Sequence, residues 1–276
     1  MRLPLRLPPL NALIGGALIG LLGLAAGLGA LWTPHDPLRL SFRAKLAPPG
    51  AVHWLGTDEF GRDVLSRLMA GAATSVWISL LTVIFAVVIG TAIGLVSGYL
   101  RGWPDRIIMA INDALLAFPG ILLALGLLAV VGANKYGIIL ALGIAYTPSV
   151  ARIVRGTVLS LREREFIAAS RVMGNSETFT LLRHVLPNCI APITVLATSM
   201  FGYVLLAESA LSFLGLGVPP PAPTWGNMLS ASRPYVDQAI WLGIFPGLCI
   251  SLTLLGINLL GDAVRDRLDP RMRGVR

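Results

Sequence analysis

Long apolar runs separated by short polar stretches dominate the chain, and their lengths limit what it can form. Six runs match the ~20 residues that a helix needs to cross a bilayer: roughly Leu10–Trp32, Ala72–Tyr99, Ile107–Val131, Tyr136–Val158, Cys189–Leu214 and Ala239–Leu260. None alternates apolar and polar positions as a membrane β-strand does, and a backbone in lipid must satisfy its own hydrogen bonds, which favours helices. The pattern therefore predicts an all-α, polytopic membrane protein of about six transmembrane helices.

Composition agrees: 55% of residues are hydrophobic, 13% are charged, and the mean hydropathy is +0.76, which excludes an ordinary soluble domain. The first run is longer than the apolar core of a signal peptide, and Trp32-Thr-Pro-His is a poor cleavage site, so it reads as a retained helix. Charge sets orientation. With both termini inside, 15 of the 22 Lys and Arg residues fall on the inner side, which predicts an N-in, C-in topology by the positive-inside rule. The net charge of +8 is then mainly a topology signal with some attraction to anionic membrane lipids, and nucleic acid is not an expected partner.

Within the runs, Gly90, Gly94 and Gly98 share one helical face, and the pairs Gly16/Gly20 and Gly23/Gly27 suggest similar small faces on the first helix. Pro119, Pro148, Pro192 and Pro246 predict kinks wherever they fall inside a helix. Asn112, Asp113 and Glu208 are polar groups at membrane depth, where side chains seek a partner helix or water. An interhelical hydrogen bond, or pairing with an Arg such as Arg106, is the expected role ahead of contact with a substrate path. Cys189 and Cys249 read as packing residues. His35, His53 and His184 are far apart in sequence without metal-ligand spacing, so no metal site is expected. A phosphate loop is excluded because Lys45 and Lys135 follow Ala44 and Asn134 rather than glycine. No nucleophile with a His or Cys partner suggests catalysis.

The most informative stretch is an Arg-rich, amphipathic island at Glu163–Pro187, on the predicted inner side between two apolar runs. Phe166, Ile167, Ser170 and Met173 share a helical face, and Gly174 is placed to end that helix in a left-handed turn. Asn175 or Ser176 can cap a second short helix striped by Phe179, Leu182 and Val185. Two short helices joined by glycine make a rigid knob suited to docking a partner.

This island resembles the EAA loop of ABC-importer permeases. Ala168-Ala169-Ser170 stands where the family has Glu-Ala-Ala, Gly174 at its glycine, and Leu186-Pro187 at its Leu-Pro, with His184 at a position that is usually hydrophobic. Glu165, Phe166 and Arg171 complete the expected coupling surface, Glu165 standing near the acidic contact that Ala168 lacks. Three further stretches resemble the C-type permease subunit of dipeptide, oligopeptide and nickel importers. They are His53 to Arg67 with Asp58, Arg62 and Asp63; Phe213 to Pro220 followed by Thr224-Trp225-Gly226; and Gly261 to Pro270. Independently of the family, turn formers and close opposite charges at 57–63 predict an ordered external element.

The resemblance implies a type I ABC-importer permease fold in a bacterial inner membrane. It divides the chain into an N-terminal helix and external segment (1–70), a five-helix core (71–265) with the coupling loop at 161–187, and a tail (266–276). It also implies a homologous B-type permease, two P-loop ATPases and an extracytoplasmic substrate-binding protein as partners. ATP and Mg would be held by the ATPases and no cofactor by this chain, which is not itself an enzyme. Peptides are the expected cargo, with nickel or a glutathione-like solute as the alternative and an ion-coupled secondary transporter as the competing class.

Overall fold

The computed structural model describes residues 10–268, so Asp269 and Pro270 of the expected tail lie outside the described residues. Helices make up nearly all of its regular structure. In chain order they are α1 (Leu10–Leu31), α2 (Val64–Leu100), α3 (Gly102–Leu116), α4 (Gly120–Val131), α5 (Lys135–Arg162), α6 (Glu165–Val172), α7 (Glu177–Thr180), α8 (Leu186–Phe213), α9 (Trp225–Ser232) and α10 (Trp241–Leu268). An isolated antiparallel bridge pairs Thr57 with Asp63. The helices α1, α2, α5 and α10 and the α7–α8 run are each long and apolar enough to cross a membrane. The protein is accordingly a multi-pass membrane protein.

The third expected span requires correction. Ile107–Val131 is not one helix: α3 stops at Leu116 and α4 starts at Gly120, with a bend of 93° between them. Pro119 is the cause, since it donates no backbone hydrogen bond and drives Phe118 away from helical geometry. It sits at the N-cap of α4, where a missing N–H matters least. Pro148, Pro192 and Pro246 lie inside continuous helices instead. The pair α3–α4 brings the number of spans to six if it crosses as one.

Contacts group the chain into two compact units, one of residues up to Ser79 together with those from Phe201 onward, the other Leu80–Met200. In the first, Trp225 is the largest fully buried side chain, within a core that includes Leu22, Val64, Leu68, Leu205, Met228 and Leu242. Helix α1 meets α10 through Gly15 and Gly256. A Cβ on Gly15 would lie 2.9 Å from the Gly256 carbonyl oxygen, and one on Gly256 would lie 2.9 Å from Leu18 Cβ. Gly16, Gly20, Gly23 and Gly27, expected to form the packing face of α1, have nothing within 4 Å, so that expectation fails. Spacing alone does not reveal which small residues face a neighbour.

In the second unit the glycine face of α2 packs as expected. Gly90 faces Val150, Gly94 faces Ala151 and Val154, and Gly98 faces Val158, all on α5. A Cβ on Gly94 would stand 2.6 Å from the Ala151 carbonyl oxygen and 2.7 Å from Val154 Cβ. Helices in lipid gain little from hydrophobicity when they associate, so this close backbone approach provides the van der Waals contact that holds them. Beyond the ladder, Asp105 accepts two 2.6 Å hydrogen bonds from the Arg155 guanidinium and is also bonded by Ser97 Oγ. Arg162 reaches the carbonyls of Gly98 and Tyr99.

Gly94→Val is expected to cost ~1–3 kcal/mol by overpacking α2 on α5, whereas Gly126→Ala on α4, where nothing lies within 4 Å, should be neutral. Thermal unfolding in detergent reads both, and equal midpoints would contradict the tight α2–α5 contact.

Candidate functional site

The island becomes two short helices immediately after α5. Helix α6 carries Glu165 in its first turn, and Gly174 follows it at φ +80°, the left-handed turn expected from the sequence. Ser176 caps α7, its hydroxyl accepting from the Phe179 amide at 3.2 Å. Ser170 joins the two helices. It is buried, its hydroxyl bonds Thr180 Oγ1 at 3.0 Å and accepts from Asn175 Nδ2 at 3.2 Å, and its carbonyl accepts the Asn175 amide. After α7 the chain takes a π-helical turn over Leu181–Val185, where the Leu186 amide reaches back five residues to the Leu181 carbonyl. Pro187 has no amide hydrogen with which to continue an α-helical ladder at this join, and the wider turn ends beside it.

The expected apolar faces divide differently. Of Phe166, Ile167, Ser170 and Met173, only Ile167 and Ser170 turn inward; Phe166 and Met173 are exposed. In the second stripe Val185 is buried, whereas Phe179 and Leu182 are exposed. Helices this short need only one or two inward positions to seat them, which leaves the rest outward. Phe166, Val172, Met173, Phe179 and Leu182 are thus exposed, as are Ala168 and Ala169. The same element carries exposed Glu165 and a 3.4 Å pair of Arg171 with Glu177. His184 makes an edge contact with the Phe179 ring, Leu186 is half-buried, and Pro187 is exposed.

The polar residues at membrane depth find partners, though not Arg106. Buried Asn112 donates from Nδ2 to the Pro148 carbonyl at 3.2 Å, the expected interhelical bond, and borders an apolar hollow of about 420 Å³ lined by Ile111, Thr147 and Pro148 among others. Asp113 is exposed and pairs with Arg152 at 2.6 Å. Glu208 is fully buried and pairs with no arginine among the described residues; its Oε1 accepts from Ser212 Oγ at 2.8 Å, with the hydroxyls of Ser75, Ser209 and Thr224 close by. Thr224 and Asn227 form a capping box at the start of α9. Trp225 is buried there, donating from Nε1 to the Leu68 carbonyl at 3.0 Å and from its amide to Ser75 Oγ. Trp225, named from the sequence with the external-loop residues, is therefore a buried anchor. Sequence reading missed the Ser97–Asp105–Arg155 cluster, for which the only signal was an Asp close behind the end of α2.

The segment between α1 and α2 is organised around two buried carboxylates. Asp58 Oδ1 accepts the amides of Phe60 and Arg62, while Oδ2 pairs with Arg62 Nε at 2.6 Å and Arg67 Nε at 3.3 Å. Burial pushes the nearby Glu59 carboxyl above its ordinary pKa, outweighing its hydrogen bond and the two arginines. Burial acts in the same direction on Asp63, but the Ser66 hydroxyl and amide bonds and the His53 contact more than offset it and hold Asp63 below the ordinary value. His53 Nδ1 lies 2.9 Å and His35 Nδ1 3.7 Å from the same oxygen of Asp63. The two histidines expected to be far apart are thus neighbours. Turn formation across Thr57 and Asp63 folds a loop on itself, and linear spacing carries no trace of that.

A family profile described as "Binding-protein-dependent transport system inner membrane component" matches residues 90–274. A putative peptide transport system permease protein of Brucella suis is 44% identical over 260 residues, covering 94% of this chain and 88% of that protein. A dipeptide transport system permease protein of Alkalihalophilus pseudofirmus is 42% identical, covering 95% and 86%. A glutathione transport system permease protein of Escherichia coli is 45% identical over 230 residues, covering 82% and 75%. Among solved structures, the inward-facing methionine ABC transporter MetNI superposes with a TM-score of 0.60 at 18% identity, over 73% of this chain and 96% of that one, a likeness of fold.

Removing Asp58 takes the shared carboxylate from two buried guanidinium groups, leaving Arg62 its longer 3.3 Å pair with Glu59 and Arg67 its 3.3 Å bond to the Pro37 carbonyl. Asp58→Ala should destabilise the protein by ~3–5 kcal/mol, while Asp113→Ala, which breaks an exposed pair, should cost ~1 kcal/mol or less. Thermal unfolding of the two variants checks the contrast.

Proposed function

The chain belongs to the family of binding-protein-dependent transport system inner membrane components, and from that membership we propose that it is the peptide-translocating permease subunit of an ABC importer. The observation that carries the proposal is the knob at 163–187. Its inward residues, Ile167, Ser170, Thr180 and Val185, are buried or hydrogen-bonded, while Phe166, Val172, Met173, Phe179 and Leu182 are exposed, Phe179 with its ring edge against His184. Five large exposed apolar side chains on so short an element suit an interaction surface, and Glu165 and the Arg171–Glu177 pair stand on the same internally bonded element. Such a surface suits a cytoplasmic ATPase subunit.

Glu165 lies one helical turn before Ala168 on exposed α6 and supplies the acidic contact that Ala168 lacks. Two ATPase subunits close on ATP, one against this knob and one against that of a homologous partner permease. The preference of ATP for the closed pair then biases the membrane helices toward one of two arrangements, and hydrolysis releases that bias. ATP and Mg are held by the ATPases, and this chain contributes no catalytic group. An extracytoplasmic receptor delivers the cargo. Peptides are favoured over glutathione or nickel because the relatives named for peptides and dipeptides match nearly the whole chain.

Gly174 gives the sharpest test, because at φ +80° a substitution there meets strain rather than a neighbour. Gly174→Val should abolish transport and substrate-stimulated ATP hydrolysis while the chain stays inserted, whereas Gly174→Asn, which tolerates the left-handed region, should retain much of both. Full coupling in Gly174→Val and in Glu165→Lys would refute the docking role. Cysteines placed at Thr178 and Ala222 should be labelled by impermeant reagents from opposite sides of the membrane, and same-side labelling would overturn the topology. Calorimetry of the cognate receptor with dipeptides, glutathione and Ni²⁺ assigns the cargo.

A further inference from the structure

His35, His53 and Asp63 come from three separate points of the segment between α1 and α2, yet their donor atoms lie within 4.8 Å of one another. We propose that they form a binding site for a divalent transition-metal ion of the Zn²⁺ type, which clips the stretch following α1 to the stretch preceding α2. The distances suit such an ion. Tetrahedral coordination with zinc–nitrogen and zinc–oxygen bonds of about 2.0–2.1 Å places neighbouring donors about 3.3 Å apart. Asp63 Oδ1 stands 2.9 Å from His53 Nδ1 and 3.7 Å from His35 Nδ1, on either side of that value. The two imidazole rings lie side by side, with centroids 4.9 Å apart and planes at 42°.

The surroundings are arranged as a metal site requires. Asp63 is almost fully buried, and Ser66 holds its other oxygen, Oδ2, with both amide (2.8 Å) and hydroxyl (2.7 Å). Hydrogen bonds of this kind orient a ligating carboxylate and leave the second oxygen aimed at the ion. The His35 amide in turn donates to Ser66 Oγ at 3.0 Å, so the same serine fixes the backbone of one histidine and the carboxylate. Side-chain exposure rises from 2% at Asp63 through 21% at His53 to 43% at His35. The group therefore opens on one side into a cleft of about 260 Å³, through which an ion can enter and a water can complete the coordination. Two imidazoles with one carboxylate suit zinc and its neighbours in the first transition row, and not Mg²⁺ or Ca²⁺, which take oxygen donors.

The test uses the full chain in lipid nanodiscs, free of polyhistidine tags and treated with a chelator. Titration with Zn²⁺, read by calorimetry, should show one saturable micromolar site and a rise in the thermal unfolding midpoint. His35→Gln and His53→Gln should each weaken it at least tenfold, and His184→Gln should leave it unchanged. His35→Gln is the informative variant because its half-exposed side chain can be replaced without unfolding the segment. Co²⁺ should give the strong visible absorption of tetrahedral coordination. Absence of saturable Zn²⁺ binding in the micromolar range, or binding that survives both His35→Gln and His53→Gln, overturns the site and leaves a hydrogen-bonded His53–Asp63 pair with His35 stacked beside it.

Discussion

The backbone-to-backbone approach of α2 to α5 is the contact on which the unit of residues 80–200 depends. Lipid offers helices almost no hydrophobic reason to associate, so two spans stay together through shape and through polar bonds that water does not contest. Gly90, Gly94 and Gly98 supply the shape, each opposite Thr147, Val150, Ala151, Val154 or Val158. At the end of the ladder, Arg155 with Asp105 and Arg162 with the Gly98 and Tyr99 carbonyls close the contact with charge-assisted bonds. Only Glu163 and Arg164 separate Arg162 from the first turn of α6. The short helices α6 and α7 thus follow α5 with only two intervening residues, and α5 in turn packs closely on α2.

The segment before α2 solves a different problem. It contains little regular structure, so its order rests on side chains that take over the role of a ladder. Asp58 holds two arginines and two amides, and Asp63 holds Ser66 and His53. Buried charges arranged this way are costly to bring out of water and more costly to leave unpaired, which makes the segment intolerant of losing a single partner. Trp225 performs the corresponding task for the loop after α8, with its indole N–H given to the Leu68 carbonyl and its ring in the core.

How much of this was legible depended on whether the signal was local. Gly174 could be recognised as the break between two short helices because a left-handed residue after an amphipathic turn is a property of a few adjacent residues, and its φ of +80° agrees. Ser176, placed to cap the next helix, does so. Pro119 was read as a bend, yet its effect was underestimated: the break is complete and turns the chain by 93°. On α1 the GxxxG spacing misled, since Gly16, Gly20, Gly23 and Gly27 face open space while Gly15 and Gly29 meet α10 and Met69. The face of a helix that meets a neighbour is chosen by the neighbour.

The linear pattern alone determined that the chain crosses a membrane several times as helices, because length and apolarity settle how a backbone can live in lipid. It also determined the knob, because capping and turn chemistry act over a few residues. Only the tertiary structure decided which polar groups meet. Asn112 found a carbonyl, Asp113 chose Arg152 over Arg106, Glu208 found hydroxyls, and His35 and His53 converged on Asp63. Such pairings depend on the angles at which separate segments cross, and those angles arise from the packing of the whole chain rather than from the spacing of any part of it.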